Sequence, residues 1–120
     1  MTSADKRIAF QGALGANSDI ACRTAYPDMT SVPCNTFADA FAAVQNGEAR
    51  LAMIPIENSQ HGRVADIHFL LPGSGLAIVA EHFMRITHTL MATGPGPFEA
   101  AYSHPQALGQ SHRFLGERGI

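Results

Sequence analysis

The sequence predicts an α/β fold with a largely parallel sheet. Two observations carry that expectation. Strand-like and helix-like segments alternate along the chain, and the strand-to-helix junctions are rich in polar residues or glycine. No internal repeat interrupts this order.

Arg7 to Phe10 reads as the first strand, followed by a loop from Gln11 to Gly15. Ser18 to Tyr26 reads as a helix stopped by Pro27. Thr30 to Cys34 is a second short strand, and Pro33 marks it as an edge or an early end. Thr36 then caps the clearest helix: Phe37, Ala40, Phe41 and Val44 share one face, and Thr36-x-x-Asp39 has the form of a capping box. Asn46-Gly47 ends it, since glycine tolerates positive φ. Leu51 to Ile56 is the third strand, apolar on both faces. A third helix follows, with Val64, Ile67 and Leu71 on one face and Pro72-Gly73 as its stop.

Leu76 to Ala80 restarts as a strand, with a β-prone pattern continuing to Met91. Gly94-Pro95-Gly96-Pro97 is the plainest break. Glu99 to Tyr102 reads as a last strand feeding a helix from Pro105 to about Glu117. The chain ends at Gly119-Ile120, where glycine closes a helix and isoleucine could open another strand. That reads as an interruption of the pattern.

Composition narrows the function. With 46% hydrophobic and 15% charged residues the 120-residue chain is globular in character. A formal net charge of −2 offers no basic footprint, so nucleic acid is not an expected partner. No apolar run approaches the roughly 18 residues that span a bilayer, so no membrane partner is expected. Residues 1–6 lack the apolar core of a signal peptide. Cys22 and Cys34 show no paired spacing, which suits free thiols in a reducing, cytoplasmic setting. The six histidines, His61, His68, His82, His88, His104 and His112, form no H-x-x-x-H pair and have no cysteine at zinc spacing, so no metal is expected.

Three junctions stand out: Gln11 to Ser18, Glu57 to Arg63, and Ser103 to Gln106. In an open parallel sheet such junctions lie at the carboxyl ends of strands, where ligands bind. Each brings a helix N-terminus with unpaired N–H groups and a partial positive charge, an arrangement suited to an anion. The G-x-x-G of Gly12 and Gly15 is neither a dinucleotide fingerprint nor a P-loop. It serves either a tight turn or a close backbone approach to a ligand. Glu57-Asn58-Ser59 offers a carboxylate, an amide and a hydroxyl at a strand tip. The bland alternative is a cap and a solvated acid. In Ser103-His104-Pro105-Gln106, Pro105 suits the first helical turn. Gln106 and Gln110 are one turn apart, and Gln110 leans back towards Ser103. Two solvated glutamines are the alternative there.

Together "RIAFQGALGANS", "VPCNTFADAFAAVQNGEARLAMIPIENSQHGRVADIHFLL", "IVAEHFMRITHTLMA" and "YSHPQALGQ" resemble the prephenate dehydratase domain over nearly the whole chain and in the family's order. "IPIENS" followed by "GRV", with "YSHPQAL", is the specific part.

The resemblance implies a type II periplasmic-binding-protein-like α/β fold of two lobes around the active site. On this reading the whole chain, residues 1–120, is a partial catalytic domain: about 1–76 form a nearly complete first lobe and about 77–120 begin the second. The implied activity is conversion of prephenate, a dianion, to phenylpyruvate on the way to phenylalanine. No metal or organic cofactor takes part. The family is cytosolic and oligomeric, so a homo-oligomer is expected. By resemblance, Glu57, Asn58, Ser103 and Gln110 are catalytic, and Gln11, Gly12, Ser59, His104 and Gln106 surround the substrate.

Two departures follow. The family's Thr-Arg-Phe or Thr-Arg-Asp motif and its phenylalanine-binding ACT domain are absent from this sequence. Residues 1–120 alone are therefore expected to be catalytically dead and prone to aggregate. With six residues before the first strand, no fused upstream chorismate mutase is expected. The rival readings are a non-catalytic anion-binding lobe of a solute-binding protein, an arogenate dehydratase, and a truncated relic.

Overall fold

A computed structural model describes residues 3–58, 62–86, 88–103 and 105–120. The chain divides into two compact units, Met1–Met84 and Arg85–Ile120.

The first unit is built on a three-stranded sheet of β1 (Arg7–Gln11), β2 (Thr30–Cys34) and β3 (Leu51–Met53), in the order β2-β1-β3 and parallel throughout. β1 is central because it is buried on both faces: Ile8, Ala9 and Phe10 are at most 1% exposed. Its side chains alternate, as a strand requires. Ile8 and Phe10 pack with Cys22 of α1 (Asn17–Ala25) and with Tyr26, Met29, Leu51 and Met53. Ala9 faces the opposite way, towards Ala40 and Ala43 of α2 (Phe37–Gln45), with Ala49, Ala52 and Ile54 around them. One helix thus covers each face, the usual condition for a parallel sheet. Alanines dominate the α2 side, which lets that helix lie close to the strands. β2 carries Pro33 and is an edge, in agreement with its sequence.

The start of α2 is held by its own sequence. Thr36 Oγ1 accepts the Asp39 backbone N–H at 3.0 Å, filling one of the donors that a helix start leaves open. Gly47, at φ 75°, ends the helix in the left-handed region. Thr36→Ala is expected to cost about 1 kcal/mol, read as a lower urea midpoint with an unchanged slope.

Several elements differ from their sequence expectations. The third strand stops at Met53 rather than Ile56. The pairing with β1 ends at Met53, and Pro55 beyond it has no N–H to extend the ladder. The chain instead forms a two-stranded hairpin: β4 (Glu57–Asn58) pairs antiparallel with β5 (Gly62–Arg63), and the Val64 N–H extends it to the Ile56 carbonyl at 2.9 Å. α3 is only Ala65–Leu70, packed against α2, with Ile67 1% exposed.

The strand expected from Leu76 to Ala80, with its continuation to Met91, is not formed among the described residues. β propensity yields a strand only where a neighbouring backbone supplies partners. Here Ile78 and Val79 stand 66% and 74% exposed instead. In the second unit, Glu99 to Tyr102 likewise forms no ladder. The last helix is divided at Ser111 into α4 (Pro105–Gln110) and α5 (His112–Glu117).

Candidate active site

All three parallel strands end at one edge of the sheet, and that edge positions the polar residues of the first unit. β1 delivers Gln11, whose side-chain amide donates to the Asn35 carbonyl at 3.4 Å. Gly12 follows at φ 132°, and its N–H reaches the Cys34 carbonyl at 2.9 Å, extending the pairing with β2 beyond the strand. A residue with a side chain would be strained at that φ. Gly15, at φ 89°, completes the turn into α1.

Alanine at position 16 cannot cap α1, and no side-chain cap is present there. Asp19, the third residue of the helix, takes over. Its Oδ2 accepts the Gly15 N–H at 2.7 Å and the Arg23 guanidinium at 2.9 Å, while Oδ1 accepts the Ser31 hydroxyl of β2 at 2.5 Å. The carboxylate is 0% exposed. The Ser31 hydroxyl, then the Gly15 N–H and the Arg23 charge, hold its pKa below the ordinary value of 3.8 against the opposing pull of burial.

The folded pKa is depressed, so this stabilisation is present above about pH 3.8 and is lost as acid takes the pH below it, through the folded value. An acid titration of the wild type should show stability falling in that window. Asp19→Asn should be flatter there.

Beside this turn lies a hollow of about 500 Å³. Gln11, Asn35 and Thr36 line its polar side, with the start of α2, and Asp66, Phe69 and Leu70 of α3 line the other. Glu57 is exposed on β4, opposite Arg63 in the hairpin register, with Asn58 next to it. Ser59 lies outside the described residues.

In the second unit Ser103 is exposed just before α4, His104 lies outside the described residues, and Gln106 falls within α4. Gln110, the last residue of α4, has its Oε1 2.5 Å from His88 Nε2, where the ring N–H donates. The structure thus groups Gln11 and Gly12 at one edge of the first unit, and Ser103, Gln106 and Gln110 at one helix of the second.

Asp19, Asn35, Asp66 and His88 were not singled out from the sequence. Only Asp19 had a visible signal: an acid in a first helical turn, four residues before Arg23.

Both cysteines are free. Burial, aided by the Asp19 charge, pushes the Cys22 thiol up to about 11. Burial and then Asp39 raise that of Cys34, which borders a second hollow between β2 and α2. Thiol labelling at pH 8 should modify half-buried Cys34 slowly and Cys22 only after denaturation.

The sheet edge of the first unit thus carries Gln11, Asn35 and Thr36 beside a hollow, at the carboxyl ends of parallel strands where such sheets bind ligands. The chain belongs to the prephenate dehydratase family, whose pattern matches residues 8–120. It is 49% identical over 120 residues to a bifunctional N-acyl-homoserine lactone acylase/prephenate dehydratase of Komagataeibacter europaeus, covering 97% of this chain and 42% of that one. It is 36% identical over 116 residues to the bifunctional chorismate mutase/prephenate dehydratase of Escherichia coli strain K12, covering 91% and 30%. To arogenate dehydratase 2 of Petunia hybrida it is 39% identical over 117 residues, covering 95% and 30%. Among solved structures it is similar to GqqA, described as a novel type of quorum quenching acylase, at 60% identity and a TM-score of 0.62, covering 67% of this chain and 29% of that one. The chain spans less than half the length of these relatives.

Proposed function

We propose that this chain supplies part of a prephenate dehydratase site and acts in phenylalanine biosynthesis. The observation that carries this reading is the family match from residue 8 to residue 120, which includes all three polar junctions. In the reaction the ring loses its carboxylate as carbon dioxide. The electrons of that bond aromatise the ring, and the hydroxyl leaves as water once a proton reaches it. Catalysis therefore needs donors for a dianion and one positioned acid, worth roughly 10²–10⁴ in rate. On this reading Glu57, Asn58, Ser103 and Gln110 act at the reacting ring. Gln11 and Gly12, with Ser59, His104 and Gln106, hold its substituents.

On this reading residues from 1 to about 76 belong to one periplasmic-binding-protein-like lobe and those from about 77 to 120 begin a second, in a cytoplasmic homo-oligomer. Residues 1–120 alone are inactive and aggregate. The exposure of Phe69, Phe83, Met91 and Tyr102, each above 80%, supports that part of the reading.

A chimera tests it: residues 1–120 replace the matched stretch of the Komagataeibacter relative. Phenylpyruvate formed from prephenate by the chimera, and none by residues 1–120 alone, is the expected result. A folded chimera that leaves prephenate unchanged overturns the proposal. Two further substrates belong in the same assay. Arogenate is included because the petunia relative is named for it. An N-acyl-homoserine lactone is included because two of the similar proteins are described as acylases.

A further inference from the structure

We propose that Asp19 is a positioning residue: its buried carboxylate fixes the turn from Gln11 to Ala16 and so places Gln11 and Gly12 against the substrate. The substrate half of this statement rests on the function proposed above; the turn half stands on geometry alone.

Beyond Gly12, which sits over the Phe10 ring, the turn has almost no packing of its own. Ala13, Leu14, Gly15 and Ala16 are exposed, and a Cβ added at Gly15 would meet nothing within 4 Å. Its two glycines occupy the left-handed region, where glycine has the most conformations to lose. Hydrogen bonds must therefore set its path. One end is fixed by the Gly12 N–H on the Cys34 carbonyl. Inside the turn the Ala16 N–H returns to the Ala13 carbonyl at 3.1 Å. The other end is fixed by the Gly15 N–H on Asp19.

Asp19 can serve as an anchor because it is itself held from three directions, by the turn, by β2 through Ser31, and by Arg23 one helical turn on. A charged acceptor forms stronger hydrogen bonds than a neutral one. Asparagine would keep the size but weaken the hold on Gly15, and its amino group would face the donors that now point at a carboxylate oxygen.

Residue-resolved amide exchange on the folded chimera tests the geometric half. Asp19→Asn should speed exchange at residues 12–16 by about tenfold, with α2 within about twofold of the wild type. Unchanged exchange at 12–16, or equal acceleration in α2, overturns the proposal; the second result would mean that Asp19 supports the fold at large. Ser31→Ala provides a second variant. It removes the tether to β2 and leaves the Gly15 bond, so it should speed the turn's exchange by a smaller factor.

In the chimera, Asp19→Asn should raise KM for prephenate roughly fivefold with kcat within about twofold. An unchanged KM despite an opened turn overturns the substrate half. If the unsubstituted chimera makes no phenylpyruvate, the proposed function fails, and the exchange result alone decides what Asp19 holds.

Discussion

On the proposed function, Glu57→Gln in the chimera is expected to lower kcat by roughly 10²–10⁴-fold while the protein stays folded. The expectation rests on the role proposed for Glu57, and the structure bears on how the variant folds. Glu57 is exposed on a two-residue strand, held in register by the pairing of β4 with β5. Glutamine keeps the shape and the hydrogen-bonding reach and removes only the charge. A surface substitution of that kind moves stability by no more than about 0.5 kcal/mol, so a large fall in turnover cannot be laid to unfolding. Asn58→Ala should behave alike, since its place on β4 is fixed by backbone pairing with Gly62. The check is a pair of measurements, initial rate of phenylpyruvate formation and thermal midpoint. Unchanged kinetics for both variants would return this hairpin to an ordinary solvated turn.

The parts of this protein that were legible from its sequence are those that local chemistry decides. The Thr36 cap, the stop at Gly47 and the edge position of Pro33 each follow from one residue's hydrogen-bonding or backbone limits, and each is present. The strand at Arg7 to Phe10 is also present, although its burial on both faces by α1 and α2 was not read from the sequence. What was misread depends on partners distant in sequence. Leu76 to Ala80 has the composition of a strand, but composition does not reveal whether a neighbour exists to pair with it. The run from Leu51 to Ile56 reads as one strand because it is apolar throughout. In the fold its pairing with β1 ends at Met53, and Pro55 has no N–H to extend it. Asp19 was missed for the same reason: its meaning lies in Ser31, twelve residues away, and in a glycine turn that only the folded chain brings to it.

Phe10→Ala should remove a large share of the stability of the first unit. Phe10 is 0% exposed on the central strand and is the largest fully buried side chain in the core it shares with Ile8 and Cys22. Truncating a buried phenylalanine costs about 3–5 kcal/mol, through lost burial and the cavity left behind. A unit of the size of Met1–Met84 has only about 4–13 kcal/mol to lose, at roughly 0.05–0.15 kcal/mol per residue. The surroundings cannot easily collapse into the gap, because β1 is clamped by a parallel neighbour on each side and by a helix on each face. The ring also lies beneath Gly12, within 4 Å of where a Cβ there would sit. Its loss should therefore loosen the turn carrying Gln11 before the helices melt. Phe69→Ala is the matched control: its ring is 86% exposed, and its removal should change stability by less than about 0.5 kcal/mol. Urea unfolding of both variants, followed by far-UV circular dichroism, decides the matter. Equal midpoints for the two would mean that the ring of Phe10 does not hold this core together.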